Sequence, residues 1–130
     1  MTGRPRIVRH PAPVFPGISD SVRVSAGDLL FVSGAVALET GGAPPADFES
    51  AVEATYAQLL RALDAGGARF SDVVRVNVYI VALDDHRLAV WRATRDRMVG
   101  STDLPASTLI GVQSLVGGAQ IEIDAVAAVG

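Results

Sequence analysis

Polar and apolar positions change period several times along the 130-residue chain, and each change marks an element. Val52, Tyr56, Leu59, Leu60 and Leu63 fall on one side of a 3.6-residue period, which predicts a helix over about Phe48 to Ala65. Asp47 is placed to cap its start, and Gly66-Gly67 to stop its end. In "DVVRVNVYIVAL", Val74, Val76, Val78 and Ile80 alternate with Arg75, Asn77 and Tyr79, the pattern of a strand with two unlike faces. A second helix is predicted over about Asp85 to Val99. Pro105 then opens two closing strands, about Ala106–Val112 and Gln120–Ala128. Upstream, Ser21–Ser25 reads as a strand. "DLLFVSGAVAL", from Asp28 to Leu38, reads as another, interrupted at Ser33-Gly34, where a glycine signals a bulge or a close approach to the backbone.

The first nineteen residues carry Pro5, Pro11, Pro13 and Pro16, so they are expected to form an extended, irregular arm. "TGGAPPADF" reads as a loop. The expected order is β-β-α-β-α-β-β, in one domain spanning residues 1–130. Two crossover helices on a mixed sheet of about five or six strands make an α+β fold with both helices on one face. The other face then needs cover, and self-association is the simplest cover.

Composition narrows the function more than the fold. Apolar residues make up 49% and charged residues 19%, as in a globular domain, and no apolar run is long enough to span a membrane. Net charge is −3, and all eleven basic residues are arginines. Arg87, Arg92, Arg95 and Arg97 share a segment with Asp84, Asp85 and Asp96, which reads as a solvated helix face rather than a nucleic-acid stripe. Without cysteine, disulfides, thiolate metal sites and cysteine nucleophiles are excluded. The N-terminus shows no apolar signal core, so a cytoplasmic location is expected. The arginine-only, alanine-rich composition points to a high-GC bacterial genome.

No phosphate loop, metal-spaced histidine pair or nucleophile elbow is present. His10 and His86 read as surface or capping residues. In "AQIEIDAVA", Gln120, Glu122 and Asp124 share one strand face, with Cβ atoms about 7 Å apart, and Ile121, Ile123 and Ala125 share the other. From spacing alone this polar face is either wet or lines a pocket.

"VRVSAGDLLFVSGAVAL", "LDAGGARFSDVVRVNVYIVALDD" and "PASTLIGV…GGAQIEIDAVA" resemble, in that order, the Rid family (YjgF-like, reactive-intermediate deaminases), over about residues 15–130. The resemblance implies a chorismate-mutase-like fold, a homotrimer whose sheets form a central barrel, and small-molecule sites in the clefts between subunits. It also implies hydrolysis of enamines or imines without a metal or cofactor. Ser33 matches the family's Ser before Gly. Glu122 matches the last-strand Glu, whose equivalent lines the cleft and positions or activates a water. Where deaminating members carry an Arg that grips the substrate carboxylate, this chain has Ser107. The family's pocket Tyr aligns with Ile18, and its pocket Asn falls near Trp91. Candidate site residues are therefore Glu122 as general acid/base, and Ser33, Ser107, Thr108, Trp91 and Ile18 as ligand contacts.

Two functions stay open at this level. One is a Rid-type enzyme for an enamine, imine or related reactive carbonyl compound, or a biosynthetic variant that guides a cyclisation, dehydration or hydrolysis. The other is a non-catalytic trimer that binds a metabolite, kept open by the missing arginine. Expected partners are a small-molecule ligand and two further copies of the chain, with neither nucleic acid nor membrane.

Overall fold

A computed structural model describes residues 6–38 and 43–130. Residues 1–5 of the predicted arm, with Arg4 and Pro5, and residues 40–42 of the predicted loop lie outside the described part. The elements are β1 (Arg6–Pro11), β2 (Ser19–Ser25), β3 (Asp28–Ala35), α1 (Phe48–Ala65), β4 (Val73–Val81), α2 (Asp85–Val99), β5 (Ala106–Val112) and β6 (Ile121–Val129). They form a six-stranded mixed sheet in the order β1-β2-β5-β4-β6-β3, an α+β architecture with two crossover helices.

β1 is the strand that the sequence pattern missed. The arm was expected to be irregular because of its prolines, yet Arg6 to His10 pair antiparallel with β2. Pro11 falls at the end of the strand, where the register shifts and the missing N–H breaks no continuing ladder. Arg9 also ties the strand down. Its Nε donates to the Leu104 carbonyl at 3.1 Å and its Nη2 to the Ser71 carbonyl at 2.7 Å.

α1 has the bounds its periodicity predicts. The Asp47 side chain accepts from the Ser50 N–H at 3.0 Å, and the chain leaves the helix at Gly66. That hydrogen bond holds the Asp47 carboxyl below the ordinary carboxylate range. Val52, Tyr56, Leu59 and Leu63 are buried, and Leu60 is half-buried. This face packs on β6 and β3 and against α2. Beneath it, β4 supplies Val76, Val78 and Ile80, and β6 supplies Ile121, Ile123 and Ala125, all in one buried cluster.

The alternate residues of the same strands point the other way. Arg75, Asn77, Tyr79, Glu122 and Asp124 are all half-buried on the face without helices. Phe31, 72% exposed, and Leu29, 55% exposed, lie on edge strand β3, and Ile110, 45% exposed, on β5. Among the described residues no helix is long and apolar enough to cross a membrane.

Leu59 has no exposed surface and stands at the centre of the α1–sheet contact. Leu59→Ala is expected to cost about 2–5 kcal/mol, read as a lower urea midpoint with an unchanged slope.

Candidate functional site

A cavity of about 380 Å³ opens where β2 and β5 part. The two strands run parallel but pair only through Ser19 and Ala106. The Ser19 N–H and hydroxyl both donate to backbone carbonyls, of Pro105 and Leu104 respectively, and fix that single junction. Beyond it, the edge of β5 from Ser107 to Leu109 faces the segment before β2 and the side of α2. Ile18, Trp91, Ser107 and Thr108, four of the residues singled out from the sequence, line this cavity together. Phe15 and Leu88 add apolar wall, and Arg92 adds a cation.

Trp91 is 4% exposed, so it is both a core residue and a cavity wall. The Arg95 guanidinium stacks over its ring, 4.7 Å from the centroid, a cation–π contact one helical turn on. Arg95 was expected on a solvated face. Its side chain is instead only 6% exposed, held between Trp91 and the backbone at Gly17. Gly17 has φ +77, and a Cβ there would collide with the guanidinium carbon and nitrogens of Arg95. Other arginines of α2 are likewise engaged. Arg87 lies over the Phe48 ring and reaches the Val81 carbonyl and Gln120, while Arg97 bridges to Glu53 of α1 at 2.8 Å.

The remaining two candidates sit elsewhere. Ser33 and Gly34 lie on β3 at the irregularity between Val32 and Ala35, where the sequence signalled a bulge. Glu122 of β6 lies against Gly34, and a Cβ at position 34 would run into its carboxylate. Both readings of that glycine therefore hold: the ladder shifts there, and the Glu122 carboxylate needs the space. Ser33 and Glu122 do not line the Trp91 cavity. Strand β4 separates the strand that carries Glu122 from the strand that carries Ser107.

A hydrogen-bond chain crosses the open face between the two groups. Arg75 Nη2 donates to Thr108 Oγ1 at 2.6 Å and to Asn77 Oδ1 at 3.1 Å. Asn77 Nδ2 donates to Asp124 Oδ1 at 2.8 Å, and the Tyr79 hydroxyl donates to Asp124 Oδ2 at 3.3 Å. Sequence spacing gave Arg75, Asn77, Tyr79 and Asp124 no role beyond sheet face. They join because Thr108, Asn77 and Asp124 stand opposite one another across β5, β4 and β6, as do Tyr79 and Glu122. Such cross-strand neighbours are invisible without the register.

A family model described as endoribonuclease L-PSP matches residues 17–129. The chain belongs to the Rid (YjgF) family. It is similar to a Rid-family protein, YyfB, from Yersinia pestis, whose crystal structure superposes with a TM-score of 0.82 at 30% identity, covering 96% of this chain and 98% of that one. It is 29% identical over 97 residues to the RutC family protein YjgH of Escherichia coli, which covers 75% of this chain and 73% of that protein. It is 26% identical over 125 residues to a 2-iminobutanoate/2-iminopropanoate deaminase of Dermatophagoides farinae, covering 93% and 94% of the two chains.

Within this Rid fold the open-face network has an electrostatic signature. The Asp124 carboxylate raises the Tyr79 phenol pKa above its ordinary value of 10.0, with burial adding to the effect. The phenol is thus neutral and a donor at all moderate pH. Its contribution to stability is present below the unfolded-state value and is lost as pH rises through the raised folded value. In a Tyr56→Phe background, which removes the other tyrosine, Asp124→Asn is expected to bring phenolate formation at Tyr79 to lower pH, measured by difference absorbance. An unchanged titration would contradict the direct Asp124–Tyr79 coupling.

Proposed function

We propose that this Rid-family chain hydrolyses a small enamine or imine in a cleft built between copies, with Glu122 activating the water. The supporting observation is the division of the candidate residues. One chain carries a cavity with Ile18, Trp91, Ser107 and Thr108, and separately a carboxylate cradled at Gly34 beside Ser33. Each half lacks what the other has. A trimer in which the cavity of one subunit faces the Glu122 edge of the next brings them together. The same packing covers Phe31, Leu29 and Ile110, whose exposure is costly for an isolated chain.

The chemistry follows from the groups available. Water adds to the imine carbon while Glu122 accepts a proton from it. The carbon–nitrogen double bond becomes a single bond, and the protonated acid returns the proton to nitrogen. Collapse of this adduct passes the hydroxyl proton to nitrogen through Glu122, forms the carbon–oxygen double bond and breaks the carbon–nitrogen bond, which releases ammonia and leaves the carbonyl compound. The Ser33, Ser107 and Thr108 hydroxyls orient the ligand. Thr108 Oγ1 already accepts from Arg75, so its own proton is free to be donated to a ligand. The open sheet face presents Glu122 and Asp124, and net charge is −3, so an RNA-directed reading gains no support from electrostatics.

The second reading, a trimer that binds a metabolite without turning it over, rests on Ser107, which offers one neutral donor where deaminases use a charged fork. Ammonia release from 2-iminobutanoate or 2-iminopropanoate generated in situ separates the two. The enzyme reading expects acceleration that Glu122→Gln lowers by roughly 10²–10⁴-fold, with the fold unchanged by circular dichroism. Acceleration that survives Glu122→Gln would remove that residue from the mechanism.

A further inference from the structure

The cavity has walls and hydroxyls, but its distinctive chemistry is cationic. Arg92 lines it directly, and its Nε is enclosed without a hydrogen-bond partner. Arg92 takes part in none of the four ion pairs of the described residues. One turn further along α2, Arg95 sends Nε and Nη2 to Asp96 Oδ1, at 3.0 and 2.9 Å. Its Nη1 is enclosed and has no partner. Arg95 lines a void of about 10 Å³ that shares Trp91 and Ser107 with the larger cavity. Trp91 Nε1 is also without a partner, and it lies near the Tyr56 phenol.

Unpartnered donors on a permanently charged group are expensive to enclose. Native structures keep such groups where water, an ion or a ligand satisfies them. No carboxylate side chain lines either cavity. Asp96, outside both walls, pairs with Arg95 on one side, which leaves Arg95 Nη1 unpartnered and Arg92 without an ion pair among the described residues. What complements these donors is an anion from outside. The rest of the wall says what the anion is attached to. Phe15, Ile18, Leu88, Trp91 and Leu109 enclose an apolar volume large enough for an aromatic or branched side chain.

We infer that Arg92 and Arg95 form the anion-binding end of this cavity, so that its ligand is a carboxylate borne on a bulky apolar body. The charged anchor comes from helix α2, with the Ser107 hydroxyl as a neutral auxiliary donor across the void. This rests on the reading of the cavity as a ligand site under Proposed function, and names the class of ligand it takes. Arg92 meets the carboxylate in the main cavity. Arg95 backs it from the void, its orientation set by the Trp91 ring and by Asp96.

The test uses the intact protein and two probes of nearly the same shape, phenylacetate and phenylacetamide. Trp91 is the only tryptophan, so intrinsic fluorescence reports binding at this wall. Phenylacetate is expected to bind at least about ten-fold tighter than the amide, as a charge-assisted pair implies. Arg92→Gln is expected to erase that preference by weakening the acid far more than the amide, and Arg92→Lys to keep part of it. Arg95→Gln, checked for folding by circular dichroism, is expected to weaken the acid selectively as well. Equal binding of acid and amide, or a preference that survives both glutamine variants, overturns the anchor and leaves the cavity reading standing. If neither probe perturbs Trp91, the anchor and the cavity reading fall together.

Discussion

A sheet of six strands with helices over one face has a second face to account for, and that constraint organises this molecule. The covered face is settled by packing: α1 lays Val52, Tyr56, Leu59 and Leu63 on the apolar alternates of β4 and β6. The open face is neither an ordinary wet surface nor a second core. It carries a hydrogen-bonded row from Thr108 through Arg75 and Asn77 to Asp124 and Tyr79, flanked by exposed Phe31, Leu29 and Ile110. An orienting polar row beside exposed apolar side chains is what the proposed packing of copies would bury.

The position of the cavity follows from a local failure of pairing. β2 meets β5 at a single residue pair, so the edge of β5 borders the cavity rather than a neighbouring strand. Two glycines make the flanking contacts possible. Gly17 lets the backbone lie over the Arg95 guanidinium, and Gly34 lets β3 approach the Glu122 carboxylate. In both places a charged group is brought against a main chain that a methyl group would push away. Charge is thus held at two distinct points of the chain, cation by the cavity and anion across the sheet.

Much of this was legible in the sequence, and the boundary is physical. The 3.6-residue period and its caps gave α1 directly, because the signal is local. Period-2 alternation gave the two faces of β4 and β6. The glycine in "VSGA" announced a bulge or a close approach, and both are present. β1 escaped because its prolines speak against a strand, while its partner, β2, lies beyond a turn. The buried Arg95 escaped because its charge suggests water, whereas a stacked indole and one carboxylate keep it inside. The Asn77–Asp124 bond joins residues 47 apart, and no spacing rule reaches across an unknown register. The family resemblance supplied Ile18, Trp91 and Ser107 as a set, and they do share a cavity, though without the acid they were expected to accompany.

The central claim is that the cavity and Glu122, apart within one chain, belong to one cleft between neighbouring copies. Because the chain has no native cysteine, it can be tested with Ser107→Cys and Glu122→Cys in the same chain, treated with a short bismaleimide and run on a denaturing gel. The account predicts a ladder of linked dimers and trimers that either single variant fails to give. A product that remains at the mass of one chain, with the protein sedimenting as a monomer, would contradict it.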